Sequence, residues 1–199
     1  DIHASITGGN TTVYNREVQD PEVTVTADGI ETLSDKDMTI TYLKEVTTGS
    51  SAGTYTEVDE CKDAGNYKIR VTGKGNYSGS FDLSYTIQQR NLNEDAEDYR
   101  FAIEPISDQT YTGDAIIPEE LKVFEYAYDA SAPDDKSNEN AVLGEDDYNV
   151  TGTNNIDVTS DIQKAELTIE GKGNYTGTLT TEFVILPKNI NDKLSLIHI

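Results

Sequence analysis

The sequence of 199 residues contains no tryptophan, one cysteine and two histidines. The single Cys61 cannot form a disulfide within the chain. His3 and His198 lie near the two ends of the sequence. A serine or cysteine nucleophile would therefore lack a histidine base, and a zinc site would lack its usual ligands. We expect a chain that is not an enzyme.

Long hydrophobic runs are also missing. No apolar stretch is long enough to cross a membrane, so we expect no direct membrane insertion. No segment shows the sustained period of an amphipathic helix. The sequence begins at Asp1 with neither a starting methionine nor a signal sequence, which predicts that it is a piece of a longer protein.

Positive charge is scarce. The chain has 15 Lys and Arg residues against 37 Asp and Glu residues, a formal net charge of -22. Such a surface repels nucleic acid, so we expect no nucleic-acid partner. Oxygen-rich clusters are natural calcium ligands, although no stretch here follows the EF-hand spacing. Calcium is the one cofactor that the composition suggests, and its candidate ligands in the stretch NLNEDAED are Asn91, Asn93, Glu94, Asp95 and Asp98.

What the sequence does contain is a repeat. GKGNYSG at residues 73–79 returns as GKGNYTG at residues 171–177. The strand-like runs before the phrase, NYKIRVT and KAELTIE, correspond to one another, as do the runs after it, SFDLSYTI and TLTTEFVI. An active site is normally built once, whereas a structural unit is copied whole. The sequence therefore predicts two copies of one module, each of about a hundred residues, a common domain size.

The repeat also places the boundaries of the modules. The exits IQQRNLNED and ILPKNINDK match, which predicts a linker after each copy. The final LSLIHI resembles the translated end of a transposon adapter used in sequencing libraries. Its alternative is a strand that opens a third module. We predict module 1 at 1–88, an acidic linker at 89–98, module 2 at 99–186, the start of the next linker at 187–193 and an adapter-derived tail at 194–199.

The repeated phrase reads as a hairpin turn. Residues 73–76, Gly-Lys-Gly-Asn, tolerate positive φ and tight reversal. Alternation places Tyr67, Ile69 and Val71 on one face of the strand before the turn. A phosphate-binding loop would need a helix after the glycines, and here a strand follows.

Short strands account for the rest of each copy, bounded by Gly, Asp, Asn or Pro. Six or seven of them in about ninety residues predict an all-β fold, an antiparallel β-sandwich. The alternative is a β-grasp-like module, in which YTEVDECKDA forms a short helix.

One stretch resembles a known family. DAGNYKI, residues 63–69, is similar to the corner of immunoglobulin-like domains in which a tyrosine hydroxyl bonds back to the backbone. Ile69 stands where the disulfide cysteine of that family would be, and Ala165 replaces Tyr67 in the second copy. With DDYNVTG and the GKGNYTG ending, residues 1–192 resemble the immunoglobulin-like repeats of large bacterial surface proteins and adhesins.

The resemblance implies two tandem immunoglobulin-like modules that are secreted and exposed at the bacterial cell surface, beside other domains of the same parent chain. It implies a stalk or spacer in cell adhesion. The alternative is that the modules are carbohydrate- or protein-binding accessory domains of a larger extracellular enzyme. The partner would then be a protein or glycan of a host or neighbouring cell.

Exposed aromatic residues would distinguish these two functions, because partners favour flat apolar faces with polar rims. The absence of tryptophan weakens sugar binding. The candidate ligand-binding residues are Tyr126, Tyr128, Tyr42 and Tyr55.

Overall fold

The computed structural model describes residues 2–27, 32–93, 99–137 and 139–190. These residues form strands in several mostly antiparallel sheets, with one short 3-10 turn at Gly49–Ser51 and no α-helix among them. The expectation of an all-β chain is confirmed, and the sheets are consistent with a β-sandwich. The chain divides into two compact units, Asp1–Arg90 (unit 1) and Asn91–Ile199 (unit 2). Among the described residues, none lies in a helix long and apolar enough to span a membrane.

Unit 1 is built on one larger sheet, in the strand order β2-β7-β6-β4-β5, and on the pair β1-β3. The short β2 runs parallel to β7, and the other pairs are antiparallel. The described strands are β1 (Ile2–Ile6), β2 (Thr11–Val13), β3 (Val23–Ala27), β4 (Met38–Glu45), β5 (Tyr55–Val58), β6 (Gly65–Gly73) and β7 (Ser80–Gln88).

The alternation of β6 determines which face it buries. Tyr67, Ile69 and Val71 are 2%, 0% and 3% exposed, as the sequence predicts. Lys68 and Arg70 lie between them, on the opposite face of the pleated strand. On β7 the most fully buried residues are Tyr85 and Ile87, near the C-terminal end of the strand.

The outer face of the β6-β7 hairpin carries an ion pair. Arg70 Nε donates to Asp82 Oδ1 at 2.8 Å, and its Nη2 donates to Asp82 Oδ2 at 3.0 Å. These hydrogen bonds lower the pKa of the Asp82 carboxyl in the folded state. Its stabilisation is therefore present above the pKa of the unfolded carboxyl, about 4, and is lost as the pH falls through the folded pKa.

We expect Asp82→Asn to lower the free energy of unfolding by about 0.2–1 kcal/mol near neutral pH, the range of exposed ion pairs. The difference should vanish in strong acid, because the wild-type carboxyl is then protonated too. Urea unfolding of both proteins at the two pH values measures it. An equal difference at both would show that the charge of Asp82 is not the cause.

Unit 2 contains the sheets β13-β14-β16 and β12-β11-β9, both antiparallel, and the parallel pair β10-β17. The two-residue strand β8 (Arg90–Asn91) lies at the division between the units. The other described strands are β9 (Tyr99–Ile103), β10 (Gln109–Thr110), β11 (Val123–Ala127), β12 (Glu139–Val142), β13 (Tyr148–Thr153), β14 (Ala165–Gly171), β15 (Tyr175–Thr176), β16 (Thr178–Phe183) and β17 (Ile185–Leu186).

The two units share most of a strand order. β4-β6-β7 of unit 1 corresponds to β13-β14-β16 of unit 2, and β1-β3 corresponds to β9-β11. Their longest insertions add an edge strand at different places: β5 joins β4 in unit 1, and β12 joins β11 in unit 2. The short helix of the β-grasp alternative is wrong, because Tyr55–Val58 pairs with residues 42–45 of β4 as an antiparallel strand.

Candidate functional site

The repeated phrase forms the same turn in both units. In each copy the backbone N–H of the first glycine donates to the backbone carbonyl of the last glycine. The backbone N–H of the lysine donates to the carbonyl of an aspartate that lies just before β4 in unit 1 and just before β13 in unit 2. A third bond joins the tyrosine N–H to the lysine carbonyl. The N–O distances of the three bonds agree between the units within 0.1 Å. They are 3.0 Å for Gly73–Gly79 and Gly171–Gly177, 2.8 Å for Lys74–Asp37 and Lys172–Asp147, and 3.2 and 3.1 Å for Tyr77–Lys74 and Tyr175–Lys172.

The geometry of the turn requires its glycines. Gly75 and Gly173 have φ values of 66° and 63°, in the left-handed region that glycine tolerates. A Cβ on Gly171 would lie 2.8 Å from the backbone nitrogen of Thr176, which cannot move without opening the turn. The phrase is therefore conformational, and the exposed Lys74 at its tip is a turn residue.

The residues beside the second copy of the turn form a covered site in unit 2. Leu92 donates its N–H to the carbonyl oxygen of Thr176 at 2.8 Å, and its side chain is only 1% exposed. Asn91 lies in the short strand beside β15. Tyr175 of β15 is 3% exposed, and its ring packs edge-on against Phe101, with centroids 5.9 Å apart.

Gly177 marks how closely residues 91–93 approach this turn. Its φ is 81°, and a Cβ at this position would overlap the side-chain oxygens of Asn91 and Asn93. Asn93 donates its N–H to Asn91 Oδ1 at 3.3 Å, which holds the Asn91 amide in place. The segment therefore lies directly against the turn of unit 2.

In unit 1 the equivalent place is open. Tyr77 is half-buried, and Ser78 and Gly79 are exposed. Nothing lies within 4 Å of a Cβ built on Gly79. These residues border a cavity of about 260 Å³, which we call the unit-1 cleft. Its apolar lining consists of Val25, Leu33, Met38, Val71, Tyr77 and Phe81 together with Ile2.

The calcium candidates fall only partly within the described residues. Asn91 and Asn93 lie against Gly177, whereas Glu94, Asp95 and Asp98 are outside the described residues. In the part of the chain that the structure describes, no three His, Cys, Asp or Glu side chains are grouped so as to hold a metal ion. Calcium binding stays a prediction.

The candidate tyrosines of unit 2 pack against their own unit. Tyr126 is 5% exposed and lies in an apolar cluster with Ala102 and Phe124. Tyr128 packs against this cluster, and the Arg100 guanidinium lies 3.8 Å above its ring centroid. This distance is typical of a cation–π contact. Tyr128 is the more exposed of the two candidates.

The candidate tyrosines of unit 1 lie on the paired strands β4 and β5. Tyr42 is opposite Val58 and is half-buried, and this burial raises the pKa of its hydroxyl. Lys68 Nζ lies 4.2 Å from the centroid of the Tyr55 ring. Tyr42 is thus partly covered and Tyr55 contacts a lysine of the same sheet, and ligand binding by either residue stays a prediction.

The corner at DAGNYKI has the expected hydrogen bond. Tyr67 Oη donates to the carbonyl oxygen of Asp63 at 2.6 Å, four residues earlier. The tilted rings of Tyr67 and Tyr85 have centroids 6.4 Å apart, and Tyr85 Oη donates to the Gln19 carbonyl at 2.9 Å. In unit 2 the position of Tyr67 is taken by Ala165, which is fully buried.

Cys61 is a buried thiol of unit 1. Its side chain is 0% exposed, and its N–H donates to Asp20 Oδ1 at 2.7 Å. Burial raises the pKa of the thiol to about 12. We expect it to react with a disulfide reagent at least about 100-fold more slowly in the folded chain than in the urea-unfolded chain, since the thiolate is the nucleophile. Similar rates in both states would contradict its burial.

A concave surface of unit 2 was not predicted from the sequence. Residues 152, 154–160 and 163 border a cavity of about 570 Å³. Asn155 anchors this loop, because its Nδ2 donates to the Ile116 carbonyl at 3.0 Å and its own carbonyl accepts the Ile116 N–H at 2.8 Å. The lining residues Ile156 and Val158 are 48% and 49% exposed, and the neighbouring Ile162, outside the lining, is 98% exposed. The signal in the sequence was weak, since the segment contains only isolated apolar residues among polar ones.

Comparison with known protein families finds no family model that matches the chain, and comparison with curated proteins finds no match.

Proposed function

We propose that the chain consists of two tandem immunoglobulin-like modules of a secreted bacterial surface protein, and that it serves as a stalk or spacer in cell adhesion. The observation that carries this proposal is the repetition of the backbone. The turn bonds at residues 73–79 recur at residues 171–177 with nearly equal lengths. A spacer needs its fold repeated along the chain, and it does not need a reactive site.

The side chains of the two units support the same function. The buried set recurs, with Ile69 and Val71 in unit 1 and Leu167 and Ile169 in unit 2. Exposed positions differ: the cross-strand pair formed by Arg70 and Asp82 has no charged counterpart in unit 2, where Thr168 and Thr180 pair. What is common to the units is therefore packing and turn chemistry.

The proposed location is extracellular, beside other domains of the parent chain. The net charge of -22 suits this role, because like-charged modules remain soluble and repel one another at close range. Cys61 needs no partner in an oxidising environment, since its thiol is buried.

Single-molecule stretching tests whether the units carry load separately. A spacer of two modules should show two unfolding events, each releasing roughly 300 Å of chain. This length follows because an extended chain spans about 3.3–3.6 Å for each residue of a unit. One event that releases the whole chain, or a gradual extension without events, would contradict the proposal.

The concave surface at residues 152–163 favours a second candidate, an accessory binding module of a larger extracellular enzyme. Two of its lining residues, Ile156 and Val158, present exposed aliphatic side chains beside polar ones. The test is a binding screen of the full chain against mucin, matrix proteins and polysaccharides. Saturable binding that Val158→Asp abolishes, without a change in melting temperature, would replace the spacer function. The spacer function predicts no saturable binding.

A further inference from the structure

The linker motif of the chain occurs twice, in two different environments. Arg-Asn-Leu-Asn at residues 90–93 corresponds to Lys-Asn-Ile-Asn at residues 188–191. Leu92 of the first motif is 1% exposed within unit 2. Ile190, its counterpart in the second motif, is 89% exposed. An aliphatic side chain that is buried in one copy is thus presented to solvent in the other.

The turns of the two units differ in the complementary way. In unit 2, where Leu92 binds the turn, Tyr175 is buried and Thr176 and Gly177 are partly buried. In unit 1 the equivalent Tyr77 is only half-buried, and Ser78 and Gly79 are exposed. Residues 175–176 form a strand, whereas residues 77–79 have the same sequence pattern and do not. The turn of unit 1 therefore resembles the turn of unit 2 as it would be without residues 91–93 against it.

We propose that the unit-1 cleft binds the Asn-Ile-Asn segment, residues 189–191, of a second copy of this chain. Ile190 enters the cleft as Leu92 enters the corresponding site of unit 2. The Ile190 N–H donates to the Ser78 carbonyl, the counterpart of the bond from Leu92 to Thr176. One copy thus joins the next through a linker and a turn that the chain already pairs once.

Three properties of the cleft suit this occupant. Its lining is apolar, so an aliphatic side chain gains by leaving water. Gly79 has a φ of 87° and open space at its Cβ position, which leaves room for asparagine amides like those beside Gly177. Asp37 lines the cleft, and Lys188 lies two residues before Ile190, so the approaching charges are opposite.

The strength of this contact is limited when the copies are separate. One buried aliphatic side chain and a few hydrogen bonds have to offset the cost of association, and copies with a charge of -22 repel each other. We expect a dissociation constant in the millimolar range. Added salt should lower this constant, because it screens the repulsion between the copies. If copies were covalently linked, the effective concentration of one segment at the next cleft would also be in the millimolar range.

The test is an NMR titration of the full chain carrying Ile190→Asp, which removes its own competing segment. The probe is a synthetic peptide of residues 187–193, PKNINDK. We expect saturable shifts of the Tyr77, Ser78 and Gly79 amides. The same peptide carrying Ile190→Asp should bind about 10-fold to 100-fold more weakly. Equal shifts with both peptides, no shifts, or shifts confined to residues 152–163 would overturn the proposal.

Sedimentation equilibrium at raised salt provides the second measurement. The wild-type chain should associate weakly, and Ile190→Asp should abolish this association. The matched control is Ile162→Asp, since Ile162 is also exposed in unit 2 but is not in the linker motif. A loss in both variants would instead indicate association that does not depend on the linker motif, and would overturn the proposal. The inference does not rest on the spacer function, because two separate unfolding events would persist without docking.

Discussion

Leu92→Ala is expected to lower the free energy of unfolding of unit 2 by about 2–5 kcal/mol, the usual cost of removing a fully buried leucine side chain. Leu92 is 1% exposed, and its backbone bonds to Thr176. The truncation leaves a cavity beside the turn, and the surrounding backbone is fixed by the glycine geometry of Gly171 and Gly177. The transition of unit 2 in urea or in a calorimeter should therefore shift strongly.

Ile190→Ala is the matched control. It removes a similar aliphatic side chain from the same position of the second linker motif, but Ile190 is 89% exposed. We expect a change within about 0.5 kcal/mol, as is usual for surface substitutions. Equal effects of the two substitutions would contradict the assignment of Leu92 to the core of unit 2.

Tyr67→Ala is expected to lower the free energy of unfolding of unit 1 by about 3–5 kcal/mol, because it removes a buried aromatic ring. The ring is 2% exposed and packs against Tyr85. Its hydroxyl, whose pKa burial raises, also holds the corner through the Asp63 carbonyl. Circular dichroism during urea unfolding measures the shift.

Tyr67→Phe separates the ring from the hydroxyl. It keeps the packing and removes the 2.6 Å hydrogen bond to Asp63, so we expect a loss of about 0.5–1.5 kcal/mol. A loss as large as that of Tyr67→Ala would mean that the hydroxyl dominates. No loss in either variant would show that this corner does not stabilise unit 1.

The sequence predicted those parts of the fold that depend on local patterns. Alternation identified the buried face of β6, and Tyr67, Ile69 and Val71 are all nearly inaccessible. The glycines of GKGNYSG identified a turn, because positive φ at Gly75 is a local requirement.

Contacts between segments that are distant in the sequence could not be predicted from local patterns. Leu92 lies in an acidic stretch, so the local pattern indicated a linker. Its burial depends on contact with a distant segment, the one that contains Thr176. The burial of Tyr126 and the partial exposure of Tyr128 depend on a cluster with Ala102 and Phe124 that no local period encodes. The helix that the β-grasp alternative placed near Tyr55 is wrong for the same reason, since pairing with β4 determines the conformation of this segment.

Amide hydrogen exchange of the full chain, measured at Leu92 and Ile190, tests most directly whether the linker motif is built into the module that follows it. The Leu92 N–H donates to Thr176 within unit 2, so it should exchange only when unit 2 unfolds. Ile190 is exposed, so its amide should exchange near the rate of an unfolded chain. Equally fast exchange at both positions would contradict the account, since residues 91–93 would then be an ordinary flexible linker.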